Sequence, residues 1–197
     1  LAFGTVIVGA SASRSLTIAN PAAAPADSLD CAFAAPAGFT APAPLAVAAG
    51  ASAAATVIMS TAAAGTPAGD LTISSDAVDS PSRTVALSGT VLDHAQASLD
   101  SVAALERDTL NFGEHAAGAF APQLAAVHDR DYQVSRARLA VSAATIAGGE
   151  GRFSIAGFAP VLVAGTAARW SVSFDADGAS DDTTYRATLT FTSADEA

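Results

Sequence analysis

A four-residue signature occurs twice in this chain: Leu1-Ala2-Phe3-Gly4 with Val8-Gly9 after it, and Leu110-Asn111-Phe112-Gly113 with Ala117-Gly118 after it. Two more pairs follow in the same order. Ala49-Gly50-Ala51-Ser52 returns as Ala164-Gly165-Thr166-Ala167, and Leu71-Thr72-Ile73-Ser74-Ser75 returns as Leu189-Thr190-Phe191-Thr192-Ser193. A repeat kept in order while its offset grows means tandem modules that differ by loop insertions. It divides the 197 residues into two units, each of about 100 residues, a size at which a sandwich buries a core. Repetition of one small unit favours an architectural or adhesive role over a catalytic one.

Within the first copy, residues 13–20 alternate polar and apolar, which puts Leu16 and Ile18 on one face of a half-buried strand that ends at Asn20-Pro21. Pro21, Pro25, Pro36, Pro42 and Pro44 exclude helix from the next stretch, leaving short strands or edges around residues 29–33 and Phe39. After the Gly50-Ala51-Ser52 turn come strands over 54–60, 70–75 and 83–91, with Leu71, Ile73, Val85 and Leu87 inward. Short strands at this spacing predict a β-sandwich over residues 1–92. The second copy, 109–197, predicts strands at 109–113, 120–127, 134–141, 153–158, 169–175 and 185–193. It is one strand short: after its Leu189–Ser193 it holds only Ala194-Asp195-Glu196-Ala197, where the first copy goes on to 83–91. Either the sequence is cut there or the last strand is supplied by something else. Residues 93–108 read as a linker feeding the second copy through Ala97-Ser98-Leu99, in preference to a short helix, which is marginal without packing.

Charge narrows the partners. The chain has no lysine; residues 1–92 carry a net −3 and residues 93–197 a net −7, so clustered cations for nucleic acid are lacking. Few charges and much alanine suit a secreted or surface repeat, although genome base composition enriches alanine too. No apolar run is long enough to cross a membrane as a helix. Cys31 is the sole cysteine, which rules out an intrachain disulfide; it reads as a small buried residue of a strand. The chain opens on Leu1 and not on Met, as a piece of something longer would.

The order of Leu-x-Phe-Gly, a further Gly, an Asn-ended strand, an Ala-Gly-Ala-Ser turn, Gly-x-Leu-Thr-Ile-Ser-Ser-Asp and a closing Val-Ala-Leu-Ser-Gly strand resembles the bacterial ASH-type immunoglobulin-like domains of choice-of-anchor D proteins. These are similar to the major-sperm-protein fold. The pattern rests on Leu1, Phe3, Gly4, Gly9, Asn20, Gly50, Ser52, Gly69, Leu71, Ile73, Ser75, Asp76, Val85, Leu87 and Gly89. In the second copy it is carried by Leu110, Phe112, Gly113, Gly118, Gly165, Leu189, Phe191 and Ser193, without the Asn-ended strand or the final Leu-Ser-Gly. The resemblance implies two tandem immunoglobulin-like antiparallel sandwiches, a bacterial extracellular or cell-surface location, a spacer or interaction role, protein partners (self or neighbouring repeats), and neither catalytic residues nor a cofactor.

Little chemistry is legible besides. His94, His115 and His128 are scattered and read as solvated; no nucleophile elbow, phosphate loop or metal motif occurs. Asp175, Asp177, Asp181 and Asp182 surround Gly178 in an oxygen-rich loop of the kind Ca²⁺ uses, but no closing bidentate Glu follows, so a solvated turn is the preferred reading. Asp129-Arg130-Asp131 with Arg136 and Arg138 reads as exposed ion pairs. Trp170 is either a sugar-stacking platform or, by strand parity with Val172 and Phe174, a core residue; parity favours the core. The readings to be tested are thus a structural or adhesive segment acting through spacing and strand-edge contacts, and a carbohydrate- or calcium-binding accessory module.

Overall fold

A computed structural model describes residues 1–23, 25–115 and 120–196. The chain forms two compact units, Leu1–Asp93 and His94–Ala197, each an all-β sandwich. The first unit holds β1 (Ala2–Ile7), β2 (Ser13–Ala19), β3 (Leu29–Ala34), β4 (Phe39–Thr40), β5 (Leu45–Val47), β6 (Ser52–Met59), β7 (Ala68–Ser75) and β8 (Ser82–Leu92). One sheet runs in the order β1-β8-β7-β3-β5 and faces a second of order β2-β6-β4. Period-two burial sets the register. Ala55, Val57 and Met59 of β6 are buried, and Val57 and Met59 join Leu71 and Ile73 of β7 and Leu87 and Val91 of β8 in one core. The pairing is antiparallel throughout, with one exception that the sequence did not announce: β1 runs parallel to β8.

Two signature residues explain how this sheet closes. Gly4 has φ +77 where the β1–β8 register slips, a left-handed conformation that a side chain would strain. Asn20, 7 % exposed, ends β2 by donating from Nδ2 to the Val47 carbonyl at 3.0 Å, while its Oδ1 accepts from the Ala22 amide at 3.2 Å. That bond ties the end of one sheet to β5 of the other.

The second unit holds β9 (Ala97–Ser98), β10 (Gln123–Asp129), β11 (Leu139–Gly148), a 3-10 turn at Gly149–Gly151, β12 (Phe153–Ala156), β13 (Val161–Val163), β14 (Ala168–Phe174) and β15 (Ala187–Asp195). Its sheets are β12-β14-β10-β9 and β13-β11-β15. Chain order maps β2-β6-β4 onto β10-β14-β12, and β7-β3-β5 onto β15-β11-β13. Val127, Leu139, Val141, Val163 and Trp170 form its core.

Three expectations change. Residues 93–108 are not a linker: from His94 onward they belong to the second unit, where β9 pairs with β10 and the Gln96 amide donates to Asp129 Oδ1 at 2.9 Å. No helix forms there. Residues 109–113 form no strand, because a strand needs a partner and the counterpart of β8 is not among the described residues. The strand expected over 134–141 begins later and runs on as the long β11, and 153–158 yields β12 with β13 beyond it. Ala117 and Gly118 lie outside the described residues.

Candidate functional site: the open sheet edge of the second unit

The sequence of β15 alternates Leu189 and Phe191 with Thr188, Thr190 and Thr192, which gives one half-buried face and one exposed face. Along one side β15 pairs with β11 from Leu139↔Asp195 to Gly148↔Ala187, slipping once at Ser142. Along the other side no strand of the described residues pairs with it. In the first unit the equivalent position beside β7 is filled by β8. Burial records the difference. Leu71 and Ile73 of β7 are 0 % and 8 % exposed, whereas their sequence counterparts Leu189 and Phe191 are only half-buried.

The signature segment of the second copy nonetheless keeps its local structure. Gly113 has φ +80, matching Gly4 at +77. Phe3 packs on Phe39 with ring centroids 5.4 Å apart, and Phe112 packs on Phe153 at 5.6 Å. The contacted rings are themselves equivalent, because Phe39 faces Met59 across β4–β6 and Phe153 faces Phe174 across β12–β14. Residues 110–113 therefore dock where β1 docks, but without the β8 that β1 pairs with.

A polar network fixes the far end of β15. The Asp195 carboxylate accepts from the Ala95 amide at 2.7 Å and pairs with His94 Nδ1 at 2.7 Å. Beside it, Arg138 Nε donates to Glu196 at 2.6 Å, which holds the Glu196 carboxyl below its usual range, and Arg136 donates to the His94 carbonyl at 3.0 Å. Asp129 is a correction to the surface ion-pair reading. It is 6 % exposed, burial raises its pKa, and its Oδ2 finds no hydrogen-bond partner among the described residues. Arg130–Asp131 at 2.7 Å is a surface pair as expected there, and Arg138 pairs with Glu196.

The remaining candidates take structural places. His115 packs edge-on against Phe120 at 4.5 Å, and His128 sits in β10 opposite Ser98. Trp170 is 7 % exposed, between Phe158 and Phe191, so it offers no sugar platform. In the acidic loop, Arg152 donates to the carbonyls of Asp177 and Gly178 at 2.8 and 2.7 Å and stacks over Tyr185 at 5.0 Å. A guanidinium thus occupies two of the loop's backbone carbonyls. Among the described residues no group of three or more His, Cys, Asp or Glu is placed to hold a metal. Cys31 is buried, and its thiol pKa is raised by that burial and by Asp76 and Asp30.

No family model matches the chain, and no curated protein does. Among the solved structures that are similar to it at low level are the following three. A protein of unknown function from Porphyromonas gingivalis W83 is 12 % identical, with TM-score 0.37 over 85 % of this chain and 77 % of that one. The secreted serine protease VesC from Vibrio cholerae is 14 % identical, with TM-score 0.32 over 98 % of this chain and 49 % of that one. The YadV chaperone is 8 % identical, with TM-score 0.31 over 97 % and 90 %. Likeness at this level says nothing of what the chain does.

Proposed function

We propose that this chain is a non-catalytic structural or adhesive segment of a larger bacterial surface or extracellular protein, built of ASH-type immunoglobulin-like modules and working through spacing and strand-edge contacts. The observation that carries the reading is repetition at residue level: the same signature glycine conformation and the same aromatic pair recur in two units that each own a core. Duplication of a sandwich with its own core adds length and contact surface, which is what a spacer needs. The accessory-module reading draws no support from the buried Trp170 or from the loop carbonyls held by Arg152.

Stretching single molecules tests the spacer role. The expected record shows two separate unfolding events, each releasing the length of one unit, and full refolding between pulls. A chain that extends without resistance, or that loses both units in one event, would remove the proposal.

A further inference from the structure

Among the described strands one pair is parallel, and it joins the first and last strands of the first unit. β1 lies beside β8 in the register Ala2↔Ser88, Thr5↔Thr90, Val6↔Val91 and Ile7↔Leu92. Backbone bonds close the pair at both ends: the Ser88 amide donates to the Leu1 carbonyl at 3.1 Å, and the Val8 amide to the Leu92 carbonyl at 2.8 Å. The start of β1 and the end of β8 therefore sit at opposite ends of the pair, about 20 Å apart along the strand axis at about 3.3 Å per residue. We propose that β1–β8 is a shear clamp. Tension along the chain pulls the two strands past each other, so the bonds between them are strained together and fail together rather than in turn. The clamp deepens the spacer reading above, on which it rests, by naming the element that keeps the first unit folded under tension. His94 opens the second unit, so tension between the units reaches the end of β8 through Asp93.

A sheared pair also gives by slipping, and two side chains oppose this. The register already holds one extra residue in β1, since the three steps from Ala2 to Thr5 face the two from Ser88 to Thr90. Arg14 of β2 spans that bulge. Its Nε donates to the Ala2 carbonyl at 3.0 Å and its Nη2 to the Phe3 carbonyl at 3.2 Å, while the guanidinium lies 5.9 Å from the centre of the Phe3 ring. These bonds fasten the bulge to the opposite sheet, where β2 pairs with β6. Phe3 is the second stop. It is the buried residue of β1, packed on Phe39 of the opposite sheet, and a slip of one residue would turn it outward, because successive side chains of a strand point to opposite faces. β8 has its own anchor in β7, paired from Ala68↔Ser88 to Ser74↔Ser82. The contact that yields under tension is thus the one between β1 and β8, and Arg14 is its latch.

The direction of pull is the test. Ala2, Ser88 and Asp93 are exposed, and the buried Cys31 stays out of a thiol reagent's reach in a folded unit, so handles go only to introduced cysteines. In the whole chain, Ala2→Cys with Asp93→Cys strains β1–β8 along the strands, and Ala2→Cys with Ser88→Cys strains the same pair across them. At equal pulling speed the first geometry is expected to need roughly twofold more force, since forced unfolding follows the barrier in the direction strained. Arg14→Ala is expected to lower the force along the strands more than the force across them; protection of Cys31 from labelling reports that each variant is folded. Equal force in the two directions overturns the proposal. So does an equal loss in both directions with Arg14→Ala, which would make Arg14 an ordinary stabilising contact. Two reversible unfolding events in the whole chain without direction dependence would remove the clamp and keep the spacer; direction dependence with both units lost in one event would remove the spacer and keep the clamp.

Discussion

Phe112 rests against Phe153, ring centroids 5.6 Å apart, just as Phe3 rests against Phe39, yet Phe3 is 3 % exposed and Phe112 only half-buried. The same contact is made in a closed sheet and in an open one. Its worth follows the closure, because the free energy of a buried ring scales with the area removed from water. Phe3→Ala is expected to destabilise the first unit by about 3–5 kcal/mol, and Phe112→Ala the second by about 1–2 kcal/mol. Chemical denaturation of each variant measures both.

Trp170 is the sole tryptophan and Cys31 the sole cysteine, and they fall in different units. Cys31 is 5 % exposed, with its thiol pKa raised by burial and by Asp76 and Asp30. Thiol reagents are expected to label it only when the first unit opens, so Phe3→Ala should speed labelling while Phe112→Ala leaves it unchanged. Equal acceleration by both variants would mean that the units do not unfold independently.

The pH dependence of the second unit is expected to carry two opposing contributions. Burial raises the Asp129 pKa above its unfolded value, so the folded state holds that proton more tightly. The stability it contributes is fully present below the ordinary carboxylate range and is lost as pH rises through the folded pKa. Glu196 runs the other way: the hydrogen bond from Arg138 lowers its pKa, and its contribution is lost as pH falls through that lowered value. Asp129→Asn is expected to raise the Trp170-reported midpoint at neutral pH and to remove the decline above the carboxylate range. A midpoint lower than that of the parent at neutral pH would contradict this account.

Arg152 holds the loop after β14 through its carbonyl contacts at Asp177 and Gly178 and its stacking on Tyr185. Arg152→Ala is expected to hasten amide exchange of the loop by roughly tenfold and to lower the second unit's stability by about 1–2 kcal/mol. Millimolar Ca²⁺ is expected to leave the thermal midpoint of the parent chain unchanged. A calcium-dependent rise would return the loop to its cation-binding reading.

Local patterns were legible in the sequence and distant pairings were not. The alternation of β7 and β8 put Leu71, Ile73 and Leu87 in the core, parity placed Trp170 there, and the repeated glycines marked turns that recur with φ +73 at Gly50 and +75 at Gly165. The linker reading of residues 93–108 failed because what anchors His94, Ala95 and Gln96 lies far along the chain, at Asp195 and Asp129. The same reason hid the burial of Asp129: an Asp-Arg-Asp run looks like surface until β9 is laid against β10. Residues 109–113 carry the letters of a strand, and a strand is made by its neighbour.

Parallel pairing of β1 with β8 also sets an order on biosynthesis. Within this unit β1 is made first and β8 last, so the pairing between them forms only after residue 92 has been released.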